Sequence, residues 1–140
     1  MGKNNFAENL QSQHFDSIAS NYAAHHGDTW SQKYRHRFIN EPMLENINLS
    51  GSKVIDALCG SGESTGYLLC KGAEVTGVDI SQKEMENFRK HFPSCIGKCK
   101  SILSTGLKSN YYDCVVMVGG LHHLHPNVLD GIKEIHRILK

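Results

Sequence analysis

Short apolar runs alternate with amphipathic stretches between Gly51 and the end of the chain. Short apolar runs bounded by turn residues are typical of buried strands, whereas apolar positions three and four apart indicate helices. The pattern predicts, in order, strand, helix, strand, helix, strand, strand and helix. The predicted strands are residues 54–58, 74–79, about 96–102 and 112–118, and the predicted helices are about 64–71, 81–91 and 127–139. No helix is predicted between the third and fourth strands.

This order predicts an α/β fold in which crossover helices connect the strands of a doubly wound parallel sheet. Residues 1–50 predict a separate helical segment before the sheet. The first helix carries one apolar stripe, formed by Phe15, Ile18, Ala19 and Tyr22. Residues 25–28 predict a turn, and a second helix is expected from about Ser31 to Asn46. Pro42 is expected to kink or divide that helix because proline has no N–H to donate.

Composition and charge narrow the class of protein. The chain has 140 residues, of which 39% are hydrophobic and 21% charged, with a net charge of +1. This balance gives no electrostatic footprint for nucleic acid or an anionic membrane, so neither is predicted as a partner. Residues 1–10 lack the apolar core of a signal peptide, and no apolar run has the length of a membrane span. Cysteines in or beside apolar runs favour a reducing, cytoplasmic location.

Metal binding is not predicted. Cys95 and Cys99 are four residues apart, but no second pair of ligands follows at a suitable spacing. We therefore interpret these cysteines as buried or unengaged thiols.

The segment from Asp56 to Gly66 carries the informative chemistry. Gly60 and Gly62 follow the first predicted strand, where glycine lets the backbone turn sharply and approach a ligand. A dinucleotide-binding loop would place a third glycine at position 65, but Thr65 stands there. A carboxylate at Asp56 would repel phosphate and attract a cationic group. Asp79 ends the second predicted strand, where an acid can accept hydrogen bonds from ribose hydroxyls.

These motifs resemble those of the class I S-adenosylmethionine-dependent methyltransferases. Residues 54–62 resemble the first motif of that family, residues 75–81 the second, residues 112–124 the fourth strand with its loop, and residues 129–140 the following helix. The resemblance covers residues 50–140. Residues 15–22 also resemble the N-terminal helix of small-molecule members. The implied fold is Rossmann-like, and the implied cofactor is S-adenosylmethionine, with S-adenosylhomocysteine as the product.

The resemblance implies roles for residues at matching positions. Asp56, Gly60 and Gly62 would line the methionine end of the cofactor, and Asp79 would hold the ribose. Ile80 would pack on the adenine, with Ser101 and Ile102 beside it. Gly119 and Leu121 would lie near the sulfonium, and Tyr22 would close over the carboxylate.

Two positions depart from the family pattern. Leu58 belongs to the implied cofactor site but stands where the family has a small residue, most often glycine, so a different backbone conformation is expected there. Ser101 replaces the usual acid and is expected to weaken adenine recognition.

The histidines after the fourth strand are the candidate catalytic residues. One of His122 and His123 could contact the methyl acceptor. The alternative is that His123 packs or caps while His122 is solvated.

The function predicted from the sequence is in-line methyl transfer from S-adenosylmethionine to a small-molecule acceptor. Residues 1–50 are expected to form a lid or substrate segment, and residues 51–140 the cofactor-binding core. The family normally continues with further strands, so the chain is expected to be truncated, with a second copy or a partner covering the open sheet edge. One alternative is a non-catalytic binding module or truncated pseudoenzyme. The other is a nicotinamide oxidoreductase, disfavoured by Thr65 and Asp56.

Overall fold

The computed structural model describes residues 3–26 and 28–140, without the side chains of residues 3–5, 20 and 22–26. The N-terminal helices are α1 (Lys3–His26), α2 (Thr29–Arg35) and α3 (Glu41–Leu44), with a π-helical segment at His36–Asn40 between α2 and α3. The remaining elements are β1 (Lys53–Ala57), α4 (Thr65–Cys70), β2 (Glu74–Asp79), α5 (Gln82–His91), β3 (Ile96–Cys99), β4 (Cys114–Met117), a 3₁₀ turn (Leu121–Leu124) and α6 (Val128–Ile138).

The four strands form one parallel sheet in the order β3-β2-β1-β4, which confirms the predicted doubly wound α/β fold. In the register of the sheet, Ala57 lies beside Val78 and Met117, and Asp79 lies beside Cys99. The carboxyl ends of all four strands therefore meet at one edge, where ligands bind in sheets of this kind.

Both faces of the sheet are buried, as expected for parallel strands. Successive residues of β1 point to opposite faces, so Val54 packs towards α3 and α4 while Ile55 packs towards α6. A third cluster forms where Met85 and Phe88 of α5 pack against Cys59. Phe88 approaches so closely that a Cβ on Gly77 would lie 2.6 Å from its ring. This packing fixes α5 and the end of β2 in relation to the cavity.

The N-terminal helices differ from the prediction in two ways. The predicted turn at residues 25–28 is wrong for its first half, because α1 continues through His26. The predicted second helix is divided into α2, the π-helical segment and α3. Pro42 explains the division because it cannot donate to the carbonyl of Phe38, and the preceding N–H of Glu41 reaches back to His36 instead.

Two predicted strands are shorter than expected. β3 ends at Cys99 because the hydroxyl of Ser101 accepts from the N–H of Leu103 at 3.0 Å, and this local bond turns the chain. β4 begins at Cys114 because Tyr112 lies outside it and forms a parallel bridge with Leu139. The predicted absence of a helix between these strands is confirmed.

Within residues 3–26 and 28–140, no helix combines the length and the apolar character that crossing a bilayer requires.

Candidate functional site

A cavity of about 290 Å³ lies at the carboxyl ends of the strands. The loops after β1, β2, β3 and β4 form its floor and walls, and α1 crosses over it. Of the predicted cofactor residues, seven line the cavity: Leu58, Gly60, Asp79, Ile80, Ser101, Ile102 and Gly119. The fold therefore brings most of the predicted cofactor-binding residues together around one cavity.

Asp79 is a buried carboxylate that lines this cavity. Its two oxygens accept from the backbone N–H groups of Gly60 and Ser81, each at 2.9 Å. Burial raises its pKa, and these bonds oppose the rise. A carboxylate offers roughly four acceptor positions, and the backbone N–H groups of Gly60, Ser81 and Ile80 use only part of them, so acceptor capacity remains for a ligand hydroxyl. Asp79 thus fixes the loop after β1 and still presents acceptors to the cavity.

The loop after β1 is held in left-handed backbone conformations. Gly60 has φ +53° and Gly62 has φ +100°. A Cβ on Gly62 would lie 2.4 Å from the ring of Phe92, so this glycine serves the close packing of loop and helix. Gly62 is not among the residues that line the cavity. Its predicted contact with the methionine end of the cofactor stays a prediction, and its close packing against Phe92 accounts for glycine at this position.

Leu58 adopts a left-handed backbone conformation, which glycine favours. Its φ is +54°, a region that costs a residue with a Cβ about 1–2 kcal/mol. The expectation of a different backbone at this position stays a prediction; in this chain the leucine side chain is accommodated in a left-handed turn. The room comes from Gly120, where a Cβ would lie 2.5 Å from Cδ1 of Leu58.

Asp56 lies beneath the loop and does not line the cavity. The hydroxyl of Thr65 donates to it at 2.6 Å. Burial raises the pKa of Asp56 to about 7, and the nearby carboxylate of Glu63 adds to the rise while the Thr65 bond opposes it. Asp56 therefore contributes to the electric field in the cavity through its charge, without lining the cavity.

Sequence reasoning did not identify Arg35 and Glu63, which also line the cavity. The carboxylate of Glu63 reaches over Gly60, where a Cβ would lie 3.1 Å from its Oε2. Burial raises the pKa of Glu63, and the charge of Arg35 opposes the rise. The lining residues include four carboxylates, those of Glu8, Glu63, Asp79 and Glu84, and the guanidinium of Arg35. This balance favours a ligand with an excess of positive charge and one acidic group.

Glu84 and Ser81 lie at the start of α5. The hydroxyl of Ser81 caps the helix, accepting from the N–H of Glu84 at 3.1 Å. The carboxylate of Glu84 does not return to the backbone but accepts from the hydroxyl of Ser61 in the loop after β1. Glu84 thereby ties α5 to the glycine loop.

The segment after β4 separates the predicted residues into two groups. Gly119, with φ +70°, and His123 line the cavity. Leu121 is 46% exposed, and neither it nor His122 lines the cavity. The ring of His123 meets Phe15 edge to face, with centroids 5.1 Å apart. Burial and the neighbouring His122 lower the pKa of His123, which keeps its ring neutral near pH 7.

One face of α1 covers the cavity through polar contacts. Its side chains contact the loops after β2, β3 and β4, and its contact residues are Glu8, Gln11, Ser12, Phe15 and Asp16. These residues recur at helical spacing. The same side of α1 therefore makes all of its contacts with the loops after β2, β3 and β4. Of the described side chains of the predicted apolar stripe, those of Phe15, Ile18 and Ala19, only Ala19 is fully buried. Tyr22, the predicted cover for the carboxylate, has a side chain outside the described part of the structure.

Comparisons with known proteins identify the family. Residues 55–140 match the family model described as "Methyltransferase domain". An uncharacterized methyltransferase of Synechocystis sp. is 33% identical over 99 residues, which cover 69% of this chain and 47% of that protein. The ubiquinone biosynthesis O-methyltransferase of Vibrio cholerae is 31% identical over 104 residues, covering 70% and 42%. The chain thus spans less than half the length of these relatives.

Solved structures share the fold. The magnesium protoporphyrin IX methyltransferase of Synechocystis PCC 6803, with bound SAM, superposes with a TM-score of 0.79 at 20% identity, covering 96% of this chain and 72% of that one. The [4+2]-cyclase SpnF superposes equally well, at 0.79 with 17% identity over 96% of this chain and 56% of its own. The fold alone therefore does not fix the reaction. The match over residues 55–140 does fix the family, and the chain belongs to the methyltransferase domain family.

Proposed function

We propose that the chain binds S-adenosylmethionine in the cavity beneath α1 and transfers its methyl group to a small-molecule acceptor. The main support for this proposal is the position of Asp79. This buried carboxylate holds the glycine loop and keeps acceptor capacity at the cavity. When bound, S-adenosylmethionine supplies a methyl group already activated by its sulfonium.

The residues present fit such a cofactor. Asp79 would accept from ribose hydroxyls, and Ile80 and Ile102 offer apolar walls for a base. Gly60 and Gly119 leave the backbone accessible on the side away from the base. Arg35 would pair with an α-carboxylate, while Glu63 and the field of Asp56 would favour the ammonium and sulfonium charges. The proposed lid is α1.

His123 is the proposed base for an acceptor that must lose a proton. It lines the cavity, and its lowered pKa leaves a ring nitrogen able to accept a proton near pH 7. His122 would influence His123 by its charge rather than contact the acceptor. Phe15 fixes the orientation of the ring. The names of the ubiquinone and magnesium protoporphyrin relatives support a small-molecule acceptor.

Calorimetry with S-adenosylhomocysteine tests the binding step. Asp79→Asn should weaken binding about tenfold or more, because hydrogen bonds to a charged group contribute about 1.5–3 kcal/mol. Asparagine keeps one acceptor for the loop, so the thermal transition should remain cooperative. Asp130→Asn, in an exposed part of α6, is the matched control and should bind like the wild type.

A turnover assay separates catalysis from mere binding. Transfer of a labelled methyl group to small hydroxylated or amino acceptors should be detectable and should fall on His123→Ala. Binding without any transfer would favour the non-catalytic module. Binding of NAD in place of both adenosyl ligands would overturn the proposal.

A further inference from the structure

The carboxylate of Glu8 lies at the end of the cavity formed by the loop after β3. Glu8 belongs to α1, and the hydroxyl of Ser101 donates to its Oε1. The same hydroxyl accepts from the N–H of Leu103 at 3.0 Å. Ser101 therefore has its donor and its acceptor engaged, and Glu8 is held in place from a different element. Glu8, Ser101 and Leu103 all line the cavity.

The position of Glu8 relative to Asp79 identifies the part of a nucleoside that it would meet. Asp79 lies beside Cys99 in the sheet register, and its carbonyl accepts from the N–H of Lys100 at 2.9 Å. Ser101 is the next residue, so the end of the cavity beside Glu8 adjoins the proposed ribose site. Ile80 and Ile102 line the space between. A base attached to that ribose would lie between apolar side chains with its edge towards Glu8.

The chemistry of a carboxylate restricts the edge that it can contact. An ionised carboxylate accepts hydrogen bonds and donates none. The exocyclic amino group of adenine donates, whereas a 6-oxo purine presents an oxygen at the same position. A carboxylate would attract the first and repel the second, and a site built around a hydrogen bond rejects a ligand that lacks the donor.

We propose that Glu8 of α1, held by Ser101, is the residue that selects adenine by accepting from its exocyclic amino group. This inference rests on the proposed function. The sequence predicted weakened adenine recognition because position 101 carries serine in place of an acid. The contact between Ser101 and Glu8 supplies the missing carboxylate from the N-terminal helix, which makes the lid part of the base-binding site.

Calorimetry with two ligands tests the assignment. The ligands are S-adenosylhomocysteine and S-inosylhomocysteine, its 6-oxo counterpart. The wild type should prefer the adenosyl compound by about tenfold or more. Glu8→Gln should weaken binding of the adenosyl compound about tenfold and reduce the preference to about threefold or less, because the glutamine amide can donate to the 6-oxo group. Glu86→Gln, an exposed acid of α5, is the control and should leave both affinities unchanged.

A second variant separates base recognition from a general effect on α1. Ser101→Asp placed in the Glu8→Gln background should restore the adenosyl preference by returning a carboxylate to the loop after β3. Unchanged affinities in Glu8→Gln, while the wild type binds, would overturn the assignment and leave the proposed function intact. No restoration by Ser101→Asp would also count against it. A wild type that binds neither compound would overturn both proposals.

Discussion

At the scale of single residues, Leu58 is the clearest departure from a simple glycine turn. It keeps φ +54° at a cost in strain and places its side chain where Gly120 has none. The two positions therefore behave as a pair, in which one residue can be large because the other is small. Such contacts give coupling energies that single substitutions do not reveal.

A double-mutant cycle at these positions should show the coupling. Gly120→Ala should lower the free energy of unfolding by about 1–3 kcal/mol, because the new Cβ would meet Cδ1 of Leu58. In a Leu58→Gly background the same change should cost about 0.5 kcal/mol or less, since the clash is gone. Chemical denaturation of the four proteins measures both values. Additive effects would mean that the loops after β1 and β4 do not contact each other as described.

The sequence predicted the residues of the site better than their roles. Asp79 and Gly60 were found because a strand end and a glycine turn leave a local pattern. Asp56 and Gly62 belong to the same pattern, but they serve the loop from beneath, and no sequence signal distinguishes lining from supporting residues. Arg35 and Glu8 were missed because their place in the site depends on how α1 and α2 cross the sheet edge, which is a long-range property.

At the scale of elements, α1 is attached to the rest of the molecule through one mixed face. Phe15 supplies the aromatic contact of that face by meeting the ring of His123, and its neighbours supply hydrogen bonds. The apolar stripe predicted at residues 15–22 describes only part of this arrangement. Periodicity of apolar residues identified the helix, but the polar residues determine where it sits.

Removing the aromatic contact should loosen α1 without unfolding the sheet. Phe15→Ala should weaken S-adenosylhomocysteine binding about threefold to tenfold, because edge-to-face pairs contribute about 0.5–1.5 kcal/mol. Hydrogen exchange of the α1 amides should accelerate, while exchange in β1 and β2 should not change. Phe6→Ala, at a side chain that is 69% exposed in the same helix, should do neither. Equal exchange in the two variants would contradict the role of α1 as a cover.

The order of the elements after residue 50 was predictable because each short apolar strand is followed by its own turn signal. The division of the second helix at Pro42 was predicted in kind, but its π-helical form depends on a single displaced hydrogen bond. The end of β3 depends on the bond from the N–H of Leu103 to the hydroxyl of Ser101, which composition does not reveal.

At the scale of the whole molecule, buried carboxylates at the cavity make the affinity for a charged ligand depend on pH. Burial raises the pKa of Asp56 to about 7 and also raises the pKa values of Glu63 and Asp79. With a pKa of about 7, Asp56 is more often protonated in the free protein at pH 6 than at pH 8. A cationic ligand favours the ionised form of Asp56, so it binds more tightly as the pH rises.

The affinity ratio of S-adenosylmethionine to S-adenosylhomocysteine should therefore rise by about threefold between pH 6 and pH 8, as expected for partly screened charges. The ratio isolates the sulfonium because the two compounds share every other group. Asp56→Asn should flatten the dependence. A ratio that falls with pH would place the sulfonium away from these carboxylates.

The contacts of α1 with three separate loops have a kinetic consequence. We expect ligand entry beneath α1 to require that several of these contacts break together, so association should follow a unimolecular opening step. At high ligand concentration the observed binding rate should level off at the opening rate rather than rise linearly. Release of a bound ligand should wait for the same event, and the frequency of opening then sets an upper limit on how often the site can be refilled.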